Sequence, residues 1–96
     1  MLTGKQRSYL KCIANSTQPI FQIGKGGINE NVIKQFNEAL EARELVKATV
    51  LKNAEEDVNV ICTKIAEKTD AEIVQVIGNK FVLYRESENC KSIVLP

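Results

Sequence analysis

The residues in this chain best suited to chemistry stand four in a row, Gly24-Lys25-Gly26-Gly27. Glycines turn sharply and let another backbone approach closely, so the amides of such a loop become available as donors. The segment from Asn29 onward is helical by pattern. The free N–H groups and dipole of a helix start, equivalent to about half a positive charge, favour an anion there. Lys25 adds a mobile full charge. A sugar-phosphate backbone is the obvious polyanion, and a Gly-x-x-Gly loop that clamps successive nucleotides is a known device of single-strand RNA binders. The competing explanation is plain geometry, because strand-to-helix connections are often glycine-rich for tight turning alone. Glu30, in the first helical turn, repels a phosphate at the same end, which places the expected contact on the Lys25 side.

A second basic element lies near the start of the chain, where Arg7 and Lys11 are four apart on one helical stripe with Ser8, flanked by Lys5. Lys34, in the helix after the loop, completes the candidate RNA-binding set of Gly24, Lys25, Gly26, Gly27, Lys5, Arg7, Lys11 and Lys34. The net charge is only +1, from 13 basic and 12 acidic residues. That total conceals a gradient. Positions 1–29 hold four bases and no acid, leaving nine bases against twelve acids beyond, so +4 stands against −3. One basic and one acidic surface on the same small body are expected.

Other chemistries fail on inspection. A dinucleotide fingerprint needs glycine where Asn29 stands, and the Walker pattern lacks its spacing and its Gly-Lys-Ser/Thr ending. Histidine is absent, which removes the commonest general base and metal ligand together. Cys12, Cys62 and Cys90 form no Cys-x-x-Cys pair and are expected to be reduced. Glu55-Glu56-Asp57 reads as first-turn acids favoured by a helix dipole, not as a metal cluster. No catalytic site, metal or cofactor is expected. Phe21, Phe36, Phe81 and Tyr84 each sit in an apolar pattern, as core residues do.

Seven elements position these residues. Residues 3–15 read as a helix with Leu2, Gln6, Tyr9, Leu10 and Ile13 on one arc, followed by a strand over 19–23. A helix over 29–43 is capped by Asn29, with Val32, Ile33, Phe36, Ala39 and Leu40 on its stripe. A strand over 45–51 follows, then a helix from a cap at Asn53 to about Thr69. Strands over 72–77 and 80–85 join at Gly78-Asn79, a pairing suited to a tight hairpin. The order α-β-α-β-α-β-β predicts an α/β fold with a βαβ unit, hence parallel first and second strands in a mixed four-stranded sheet. The last two strands are nearly continuously apolar, which implies cover on both sheet faces. Residues 86–96 form a C-terminal arm.

With 96 residues, 44 % apolar and 26 % charged, the chain has the bounds of one ordinary globular domain. No run approaches the roughly 20 apolar residues of a membrane span, and the start lacks a secretion signal, so a cytoplasmic monomer without membrane or small-molecule partners is expected.

The residues also resemble a known family, the YhbY-like CRM domain, named for chloroplast RNA splicing and ribosome maturation. The likeness rests on Leu2-Thr3-Gly4-Lys5-Gln6-Arg7, Ile23-Gly24-Lys25-Gly26-Gly27-Ile28, Ala39-Leu40 with Glu44-Leu45-Val46-Lys47, and Val76-Ile77-Gly78 followed by Val82-Leu83-Tyr84-Arg85. It implies a two-layer α/β domain resembling the C-terminal domain of translation initiation factor 3, with RNA held by the Gly24–Gly27 loop and nearby bases. It further implies a role on precursors of the large ribosomal subunit. The alternative is a protein-interaction adaptor using the acidic half or the arm, whose Ile93, Val94 and Leu95 could join a sheet edge or pack at home.

Overall fold

The computed structural model describes residues 2–89, 91 and 93–96. Its elements are α1 (Gly4–Asn15), β1 (Phe21–Ile23), α2 (Glu30–Arg43), β2 (Leu45–Val50), α3 (Val58–Thr69), β3 (Glu72–Ile77) and β4 (Lys80–Tyr84). α1 opens on a capping box, in which the Thr3 hydroxyl accepts from the Gln6 N–H and the Gln6 side chain accepts from the Thr3 N–H. α2 starts as expected at Asn29, whose side chain accepts from the Val32 N–H at 2.9 Å.

The third helix begins later than its sequence pattern suggests. Asn53 does not cap it. The Ala54 N–H bonds back to the Leu51 carbonyl at 3.0 Å, closing a turn, and the cap is Asp57, whose carboxylate accepts from the Asn59 N–H at 3.0 Å. An ionised acceptor directly before the apolar stripe outcompetes a more distant amide. Glu55, Glu56 and Asp57 therefore precede α3 instead of filling its first turn, and Glu56 pairs with Lys64 at 2.6 Å.

The sheet runs β1-β2-β4-β3, with β1 parallel to β2 and the other neighbours antiparallel. Strand alternation sends Ile23, Val46, Ala48, Val50, Phe81 and Leu83 to one side, against Phe36 and Leu40 of α2 and Ile61, Cys62 and Ile65 of α3. Phe36 is the hinge pin of this core, with ring centroids 4.4 Å from Phe21 and 6.1 Å from Phe81. Leu45, Val74, Val82 and Tyr84 point to the other side, where Leu2, Leu10 and Ala14 cover them, joined by Ile93 and Leu95. The sheet and the α2/α3 pair form the two expected layers, and α1 with the chain end is a partial cover on the opposite face. A register shift between Ile73 and Gln75 marks a bulge in β3.

The arm is bound to its own body. Glu41 accepts from the Ser87 hydroxyl at 2.6 Å, the Asn89 N–H at 3.0 Å and the Glu88 N–H at 3.2 Å. Glu44, fully buried at the end of α2 with φ 65°, accepts from the Ser87 and Ile93 amides, both at 2.8 Å. Of the three apolar arm residues, Ile93 and Leu95 pack at home, whereas Val94 is exposed. Cys90 lies outside the described residues.

Candidate nucleic-acid interface

The three glycines of the loop do different work. The Gly27 N–H donates to the Gly24 carbonyl at 3.0 Å, closing a tight turn, and Gly27 itself has φ 62°, a left-handed angle that L side chains resist. At Gly24 a Cβ would come within 3.3 Å of Asn53 Oδ1, so the Lys52-Asn53 turn lies directly beside the loop. Gly26 has neither reason to be glycine. No left-handed angle is found there, and a Cβ would meet nothing within 4 Å. Together with Lys25 it is exposed to solvent. The space a side chain there would fill is open to solvent. One donor of the helix start, the Val32 N–H, is satisfied internally by Asn29, and Glu30 occupies the exposed first turn.

The other expected bases are spread out. The Leu2 N–H donates to Glu72 Oε1 at 3.0 Å, fixing the start of α1 at the beginning of β3. Pairing puts Glu72, Tyr84 and Leu45 at that end of the sheet, and Ile77, Lys80, Thr49 and Gln22 at the loop end. At about 3.3 Å per residue the two ends are roughly 16 Å apart. Arg7 lines a hollow with Glu67, Asp70 and Glu72, remote from the loop and among acids. Lys5, two residues earlier in α1, is exposed. Lys11 is exposed one turn before Asn15, which reaches a hollow at the loop end shared with Lys47, Asn79 and Lys80. Lys34 borders a groove of about 580 Å³ along α2, with Ile28, Ile33 and Lys68 and with Glu30 and Glu38. The structure thus places the end of α1 toward the loop end of the sheet and Arg7 away from it.

Over residues 2–85 the chain matches the family model of the CRS1 / YhbY (CRM) domain. It is a member of the CRM-domain family. The match spans almost the whole fold, from the start of α1 through β4. The chain is 53 % identical over its full length, and that of the relative, to "Probable RNA-binding protein YqeI" of Bacillus subtilis. It is 38 % identical to an RNA-binding protein of Haemophilus influenzae, covering 99 % of this chain and 95 % of the relative. A solution structure of a hypothetical Staphylococcus aureus protein, described as a candidate RNA binder, superposes with a TM-score of 0.81 at 54 % identity, covering all of both chains.

In this CRM domain further cations at the loop end of the sheet are ones that local sequence patterns pass over. Lys52 sits in the turn against Gly24, and Lys47 and Lys80 lie on neighbouring strands. Sequence spacing separates them from Lys25 by twenty residues or more, and only strand order brings them close. The aromatic rings of Phe36 and Phe81 are buried, in keeping with a core role. Burial pushes the Cys62 thiol up to about 11, which leaves it protonated and inert at neutral pH, while Cys12 is exposed. Among the described residues no three cysteine, aspartate or glutamate side chains converge to hold a metal ion, and no helix is long and apolar enough to cross a membrane.

Proposed function

We propose that this CRM domain is a non-enzymatic RNA-binding factor that holds a sugar-phosphate backbone at Gly24, Lys25, Gly26 and Gly27, with Lys11 and Lys34 as nearby cations and Lys5 and Arg7 as outlying ones. The observation that carries the reading is Gly26: an exposed glycine that the fold itself does not require, set between a full charge and a helix start. Relatives across most or all of the chain are named as RNA-binding proteins, which supports the same partner. The likeness to ribosome-maturation proteins points to ribosomal RNA in large-subunit precursors, met by a monomer in the cytoplasm. The adaptor alternative loses its main instrument, since the arm is already occupied by Glu41 and Glu44.

The reading predicts a salt response. Three to five phosphate contacts give a slope of log K against log salt of roughly −2 to −3.5 for single-stranded RNA. Lys25→Ala reduces the slope by about one contact's worth. A flat response measured by fluorescence anisotropy removes the proposal. For the ribosomal part, cell extract is sedimented with and without ribonuclease: comigration with immature large subunits that ribonuclease abolishes is the expected result.

A further inference from the structure

α1 and the chain end cover only part of their sheet face. They sit over Leu45, Val74, Val82 and Tyr84, and α1 stops at Asn15. Beyond that point the same face continues to the loop end of the sheet. Strand register sets Gln22, Thr49, Lys80 and Ile77 side by side, one from each strand, with Lys47, Val82 and Gln75 in the row behind. Residues two apart share a face, so Lys80 and Ile77 lie on the side that Val82 occupies. Ile77 is 61 % exposed and Gln22 is exposed. No acid stands in either row. A hollow of about 310 Å³ bounded by Asn15, Lys47, Gln75, Ile77 and Lys80 forms its centre.

This face runs into the glycine loop. The Leu51 N–H donates to the Ile23 carbonyl at 2.8 Å and the Val50 N–H to the Asn79 carbonyl at 2.7 Å, which locks the ends of β1 and β2 and the β3–β4 turn together. Two strand spacings separate Gln22 from Lys80, roughly 10 Å. An extended strand of a few nucleotides crosses that distance.

We propose that the uncovered sheet face is a second contact surface for single-stranded RNA, receiving the nucleotides that run on from the Gly24–Gly27 loop. The inference rests on the RNA reading of that loop. Lys80 meets a phosphate, with Lys47, whose Nζ also donates to the Ala14 carbonyl at 3.2 Å, adding charge behind it; Ile77 offers an apolar surface to a base, and the Asn15 and Gln75 amides present paired donors and acceptors to base edges. A protein partner fits the face less well, because protein interfaces centre on aromatic or aliphatic clusters depleted in charge, and this row has a single aliphatic residue between lysine, amide and hydroxyl groups.

The test is a nuclear magnetic resonance titration of the full ¹⁵N-labelled chain with a short single-stranded oligouridylate at low salt. Amide shifts at the loop and also at Gln22, Thr49, Gln75, Ile77 and Lys80 are expected. The double variant Ile77→Ala with Lys80→Ala should bind roughly five- to tenfold more weakly, with the salt slope reduced by about 0.7. Both side chains are at the end of a hairpin, so its unfolding midpoint should stay close to that of the parent. Lys80→Glu, which keeps a long side chain and reverses its charge, should lose more. Shifts confined to the loop, with both variants binding as the parent does, overturn the sheet surface and leave the loop reading standing. Silence at both places removes the RNA reading, and this inference with it.

Discussion

Gly26 and Gly27 are adjacent, yet the structure assigns them opposite consequences on substitution. Alanine at 26 meets open space at an ordinary backbone angle, so Gly26→Ala should hold or raise stability, by up to about 0.4–1 kcal/mol through a less flexible unfolded chain. Alanine at 27 must adopt φ 62° and should cost about 1–2 kcal/mol. Thermal unfolding separates the two. RNA affinity should fall for Gly26→Ala despite its stability, because the added methyl stands where a backbone has to approach; undiminished binding would discard the close-approach account. The sequence displays the glycines plainly. That Gly24 is confined depends on Asn53, a residue some thirty positions away that no local pattern contains, and the left-handed angle at Gly27 becomes visible only in the folded turn.

At the level of elements, helices and strands were legible wherever an apolar period and a cap coincided, as in α2 with Asn29 and the Val32–Leu40 stripe. α3 shows how such a reading goes astray: Asn53 has the right residue type, but the Leu51–Ala54 turn and the carboxylate of Asp57 decide the start. The arm was visible only as a leftover. Its anchoring depends on Glu41 and Glu44, which look like ordinary acids near the end of a helix. Hydrogen bonds from the Ser87 side chain, then from the Asn89 and Glu88 amides, hold the Glu41 carboxyl below its ordinary value of 4.5. Its folded value being depressed, the anchoring is fully present above that ordinary value and is lost as pH falls through the lower folded one. Acid titration followed through the Ser87, Glu88 and Asn89 amide shifts should therefore show a midpoint below 4.5. A midpoint at or above it would mean that these bonds do not favour the ionised carboxylate.

For the molecule as a whole, the sequence order foretold a parallel β1–β2 pair and a final hairpin, but left open which hairpin strand lies next to β2. A signal existed. β4 reads Lys-Phe-Val-Leu-Tyr and is buried through its last four residues, whereas β3 carries Glu72 and Gln75, so the more apolar strand takes the interior place. That choice brings Lys80 to the loop and leaves β3 on the rim of the sheet. A rim strand presents unpaired N–H and C=O groups that can template a second copy, and the bulge at Ile73–Gln75 breaks that ladder. Deleting Val74 should straighten the strand and produce concentration-dependent oligomers in light scattering. Val74→Ala, which sacrifices similar core packing but keeps the irregularity, should remain dispersed. One supernumerary residue thereby guards against fibril-like self-stacking.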